Sequence, residues 1–113
     1  MLRNCTRNGI NMRGYSNRRD WHPNLNVVIR GNLLEGIAGD GIVPIACDGA
    51  LVERNRMRDC PRMLPAGEAA AGIWPWSSDN TVIQFNEVSD HKAPWDAQGF
   101  DSGWNCRNTL IQY

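Results

Sequence analysis

Seven residues between Trp74 and Asp101 carry side chains suited to acid–base and ring-stacking chemistry. Asp96, Asp101, His91 and Lys92 fall in one short stretch, and Trp74, Trp76 and Trp95 accompany them. Two carboxylates can serve as general acid and general base on a glycosidic bond. Alternatively, they hold Ca²⁺ against a uronate while Lys92 or His91 takes a proton. Indoles stack on sugar faces. Asp101, Asp96, His91 and Lys92 are therefore the expected catalytic group, and Trp74, Trp76 and Trp95 the expected substrate-binding group. No residue is assigned as a ligand to a resident metal, and Ca²⁺ enters only with an acidic sugar.

Each of these residues also has a plainer reading. Asp96 and Asp101 suit loop positions where a carboxylate accepts from backbone amides. Lys92 suits a solvated loop, and a lone histidine is commonly a satisfied surface group. Trp76 and Trp104 are read equally as core or loop anchors, with Trp74 and Trp95 exposed. A second carboxylate pair, Asp48 and Asp79, sits at matching turn positions, with Arg107 as the expected counter-charge. Asp40-Gly41 is a weak acidic signal. Gly39-Asp40-Gly41-Ile42 lacks the Lys and the following helix of a phosphate loop.

A repeat must position these residues. Asn26–Asn32, Ala50–Asn55 and Thr81–Asn86 are β-favouring runs that each end at Asn, and Thr109–Tyr113 begins a fourth. In phase with them run Gly9-Ile10, Gly41-Ile42, Gly72-Ile73 and Gly99-Phe100. Self-similarity at this period indicates a solenoid of stacked turns. The expected fold is all-β: a right-handed parallel β-helix of three to four turns with three short parallel sheets. No 3.6-residue apolar stripe argues for helix, although Glu68-Ala69-Ala70-Ala71 suits a single helical turn within a loop.

The stacking predicts columns. Ile29, Val52, Ile83 and Ile111 form one; Ile42, Ile73 and Phe100 another; Leu34, Met57 and Val88 a third. Asn32, Asn55 and Asn86 should bond as a ladder and supply the left-handed backbone of the corners. Outside, Arg30, Glu53 and Gln84 are neighbours, as are Arg56 and Glu87. Cys47, Ser78 and Cys106 match, and so do Cys5 and Cys60. Matching cysteines two turns apart stand ~9–10 Å from each other, too far for a disulfide, so four free thiols are expected.

Size and charge set bounds. The 113 residues form one expected domain, 1–113, in which 1–23 is irregular, a partial first turn or a cap, and 24–113 holds the repeats. The Arg13–Pro23 stretch reads as a loop projecting from the stack. Twelve basic against twelve acidic residues give no excess to attract nucleic acid or a membrane surface. No apolar run approaches the ~20 residues of a membrane span. Met1–Asn8 lacks the apolar core of a secretory signal, leaving a cytoplasmic chain or a piece of a longer exported one.

The Gly-Ile / Ser-Asp / Thr-Val-Ile / Asn pattern resembles the right-handed parallel β-helix repeat of the pectate-lyase-like superfamily. GIWPWSSDNTVIQFNEVS (72–89) and QGFDSGWNCRNTLIQY (98–113) carry the resemblance, which covers roughly 24–113. It implies an extracellular, polysaccharide-handling ancestry and a groove floored by outward residues of successive turns, namely Val43, Trp74 and Asp101. The superfamily holds both enzymes and non-catalytic proteins. The expected functions are a polysaccharide lyase or glycoside hydrolase, whole or in part, or a non-catalytic module. That module would bind polysaccharide or oligosaccharide, or self-associate as a homo-oligomer through the solenoid ends.

Overall fold

The computed structural model describes residues 1–15, 17–61 and 63–113; Ser16, part of the Arg13–Pro23 stretch, lies outside them. Among the described residues there is no helix, and the paired strands are all parallel. Numbered along the chain, β1 (Leu2–Arg3), β5 (Leu33–Glu35), β9 (Arg56–Arg58) and β12 (Glu87–Val88) form one sheet in that order. β4 (Val28–Arg30), β8 (Leu51–Glu53), β11 (Val82–Gln84) and β14 (Leu110–Gln112) form a second. β2 (Ile10–Asn11) pairs with β6 (Ile42–Val43), β3 (Asn24–Leu25) with β7 (Cys47–Asp48), and β10 (Ala69–Ala70) with β13 (Trp95–Asp96). Parallel neighbours need a long connection, and one repeat of chain supplies it.

The registers follow the repeat. Ile29, Val52, Ile83 and Ile111 lie opposite one another, as do Leu2, Leu34, Met57 and Val88. Single bridges carry the Ile10–Ile42 pair on to Ile73 and Phe100. Ile29, Leu34, Ile42, Val52, Met57, Ile73 and Ile83 are buried in one cluster. Each such side chain contributes roughly 1.5–3 kcal/mol by leaving water. The glycines before Ile42 and Ile73 let the first strand lie against this column. A Cβ on Gly72 would collide with the Gly99 carbonyl and Val88, and one on Gly41 with the Gly72 carbonyl and Met57.

At the corners the asparagines bond as a ladder. Asn32 Nδ2 donates to Asn55 Oδ1 at 2.9 Å, and Asn55 Nδ2 to Asn86 Oδ1 at 3.0 Å. The left-handed residue, however, is the one before each Asn: Gly31, Arg54 and Phe85, with φ of 67°, 53° and 54°. A non-glycine residue there costs roughly 1–2 kcal/mol. The ladder offsets this cost, because the Asn oxygen also accepts the backbone N–H of the previous rung.

Several expectations need correction. Instead of three sheets, the described residues form five parallel ladders, because loop and corner segments pair as well. Ala69 and Ala70 form a strand rather than a helical turn; four residues cannot repay helix nucleation, whereas pairing with Trp95–Asp96 satisfies their backbone. Within 1–23, Leu2–Arg3 and Ile10–Asn11 pair with later strands, as a partial first turn would. The Arg13–Pro23 stretch is tied to later residues through Arg18. Its Arg18 binds both oxygens of Asp79 at 2.9 and 2.8 Å, donates to the Asn105 carbonyl, and lies 4.1 Å over the Trp21 ring. Arg18, not Arg107, is thus the counter-charge of Asp79. Arg107 follows Asp79 in the column but is exposed.

The outer rows pair as expected. Glu53 accepts from Arg30 Nε at 2.6 Å and Gln84 Nε2 at 2.7 Å, and Arg56 meets Glu87 at 3.1 Å. Hydrogen bonds from Gln84, then Arg30, hold the buried Glu53 carboxyl below its usual 4.5. Bonds from Arg58, then Arg3, do the same for Glu35. All four cysteines are free, with Cys47 and Cys60 buried.

Candidate functional site

One cleft, of about 270 Å³, gathers aromatic and acidic side chains. Its walls are made by three turns. Trp74 and Trp76 follow Ile73, and their alternation puts both indoles on one face, with buried Pro75 between them. The rings stand 5.6 Å apart and tilted by 48°. The next turn supplies Asp101 and Trp104. Asp101 follows Phe100, the bridge partner of Ile73, and so falls in the Trp74 column. Gly103 lies so close under the Trp74 ring that a Cβ would strike the ring and the Pro75 carbonyl. The β10–β13 pair brings Asp96 to the opposite rim and lines the wall with alanines, small enough to leave the cleft open.

Each carboxylate is held differently. Asp101 Oδ1 accepts the Ser102 N–H at 2.7 Å, and Asp96 Oδ1 accepts Gln98 Nε2 at 3.0 Å. Each therefore uses one oxygen for its own loop. Asp40 is 7% exposed, and its Oδ1 accepts both Ala71 N–H and Trp74 Nε1–H at 3.0 Å. Arg7 approaches Asp40 at 4.0 Å and Glu68 at 3.4 Å. The cleft thus offers indole faces beside carboxylate oxygens with capacity left for hydroxyl donors.

Four of the seven expected residues line this cleft: Asp96, Asp101, Trp74 and Trp76. The other three do not. Lys92 is exposed, and Trp95 is 67% exposed on the strand that carries Asp96. His91 Nε2 lies 3.1 Å from the Gly39 carbonyl, and its backbone pairs with Cys60. The imidazole is half-buried, and His91 is not among the residues that line the cleft. Val43 is no floor residue either, at 1% exposed. Trp74, one turn on in its column, bonds back to Asp40 and so leans over that turn.

Three charged or aromatic cleft residues, Trp104, Asp40 and Arg7, fall outside the expected group. Trp104 is 80% exposed, not an anchor, and Trp76 is 42% exposed. The signal for Trp104 is its place in the outward run after Asp101. Asp40 carried a weak signal as the residue before Gly41. Arg7 carried none, because its partners lie more than 30 positions away in sequence. Among the described residues, no three His, Cys, Asp or Glu side chains gather as a metal site.

Comparison with known proteins adds one relation. No protein-family model matches the chain. The chain is similar to Lacto-N-biosidase of Bifidobacterium longum subsp. longum, with 30% identity over 101 residues. The match covers 78% of this chain and 6% of that protein, so the chain spans a small part of its relative's length.

Proposed function

We propose that the chain is a stretch of right-handed parallel β-helix of the pectate-lyase-like kind, and that its tryptophan cleft binds one sugar unit of an oligosaccharide or polysaccharide. The observation that carries this reading is the convergence of Trp74, Trp76 and Trp104 with Asp96 and Asp101 in a single cleft. Indole faces take the C–H face of a sugar ring, and free carboxylate oxygens take its hydroxyls. A volume of about 270 Å³ falls just below the roughly 300–1,000 Å³ of common small-molecule sites, which suits a single ring. Similarity to a protein named Lacto-N-biosidase supports the same ligand class.

Glycoside hydrolysis is the second reading, and it rests on Asp96 and Asp101 sharing the cleft. A lyase route draws less support, since His91 and Lys92 lie elsewhere. The test is a calorimetric titration with lacto-N-biose, cellobiose, xylotriose and trigalacturonate, with and without Ca²⁺, followed by chromatography of the products. Binding that Trp74→Ala abolishes upholds the site. Products lost in Asp101→Ala or Asp96→Ala add hydrolysis. A folded sample that binds no saccharide refutes the reading.

A further inference from the structure

Asp40 has an arrangement that a turn-forming aspartate does not need. It is 7% exposed, and its one oxygen Oδ1 serves two donors from a neighbouring turn. The first is the backbone N–H of Ala71, which fixes the carboxylate relative to the strand leading into Trp74. The second is Nε1–H of Trp74 itself, at 3.0 Å. Arg7 stands 4.0 Å from the other oxygen, Oδ2. Asp40 is tied to the preceding repeat as well, since its carbonyl accepts Gly9 N–H and its N–H donates to Asn8 Oδ1.

We infer that Asp40 is a positioning residue that locks the Trp74 indole as a face-presenting platform for the sugar; this rests on the saccharide-binding reading above. With its only N–H donor committed to Asp40, Trp74 offers the ligand a ring face and no hydrogen bond. Gly103 abuts that ring and the Trp76 ring stands 5.6 Å from it, tilted by 48°, so the sugar would stack on the part of the Trp74 ring that lines the cleft. A tryptophan at a cleft rim otherwise samples several rotamers, and ordering it on binding weakens affinity. Asp40 removes that cost in advance. Selectivity then follows the shape of the sugar's apolar face rather than any donor on the indole.

The test is a double-mutant cycle read with lacto-N-biose by calorimetry, with urea midpoints confirming that each variant folds. Asp40→Ala is expected to weaken binding about tenfold, the equivalent of roughly 1.4 kcal/mol. In a Trp74→Phe background, where no indole N–H exists, Asp40→Ala should change affinity less than twofold. Equal losses in both backgrounds would assign Asp40 a merely structural role and overturn the inference. So would unchanged affinity in Asp40→Ala alongside lost binding in Trp74→Ala, a result that leaves the saccharide reading standing. Unchanged affinity in Trp74→Ala, or no binding by the wild type, removes both together. Should Asp40→Ala fail to fold, Asp40→Asn decides. Its amide oxygen keeps both bonds, so affinity should stay within about threefold. The Trp74 indole proton resonance should move as its acceptor loses charge, and an unmoved resonance refutes the bond.

Discussion

Removing the middle rung of the asparagine ladder should cost far more than removing its end. Asn55 is 2% exposed, and its carboxamide makes four hydrogen bonds. Nδ2 donates to Asn86 Oδ1 and to the Ile29 carbonyl, both at 3.0 Å. Oδ1 accepts Asn32 N–H at 3.0 Å and Asn32 Nδ2–H at 2.9 Å. At about 1 kcal/mol net per bond the side chain contributes about 4 kcal/mol. Asn55→Ala leaves the Ile29 carbonyl of the buried Ile29 without that donor, while half-exposed Asn32 recovers water. The two corrections oppose each other, and the expected loss is about 3–4 kcal/mol.

Asn32→Ala removes two bonds at a half-exposed rung and leaves no fully buried group without a partner. Its expected cost is about 1 kcal/mol. Urea denaturation followed by tryptophan fluorescence separates the two. With a slope of about 1–3 kcal/mol/M, the Asn55→Ala midpoint should fall by about 1–4 M, and the Asn32→Ala midpoint by less than half as much. Equal shifts would refute the argument that burial of the middle rung sets the ladder's worth.

Three further outcomes follow. Glu35 and Glu53 are held below the usual glutamate value of 4.5, so their stabilisation is present above that pH and lost as pH falls through their folded values. Thermal melts should therefore decline below about pH 4.5, and Glu53→Gln should flatten that decline; a melting temperature constant from pH 6 to 3 would contradict this. Burial raises the Cys47 and Cys60 thiols, so both should resist iodoacetamide at pH 8 until urea unfolds the chain, with Cys5 labelled first. Simultaneous labelling of all four cysteines would show that the core is open. Arg18→Ala should cost about 2 kcal/mol through the Asp79 and Trp21 contacts, and Arg18→Lys should not restore it, because a lysine cannot reproduce the two-pronged bond.

Much of the fold was legible because stacking forces the same solution on every turn. An inward position that recurs as Ile29, Val52, Ile83 and Ile111 has one parallel register that keeps all four on one face. Gly41 and Gly72 mark where backbone meets the neighbouring turn. The loops obey no such rule. Ala69-Ala70 reads as helix by propensity, yet its partner Trp95–Asp96 decides its state. Arg18 and Arg7 find acids far away in sequence, so spacing could not announce them. Asp96, Asp101, Trp74 and Trp76 were legible as cleft residues through residue type and turn phase. His91, Lys92 and Trp95 share that loop but are not among the residues lining the cleft, since a loop's side-chain directions depend on where it pairs.

The proposed saccharide cleft is tested most directly by watching the five indole N–H signals during a sugar titration, each assigned by a single Trp→Phe variant. Trp74, Trp76 and Trp104 line the cleft, whereas Trp21 lies under Arg18 and Trp95 faces away. The expected result is a saturable shift of the first three with lacto-N-biose, and still signals from Trp21 and Trp95. No shift with any saccharide of the panel, or shifts confined to Trp21 or Trp95, would contradict the account.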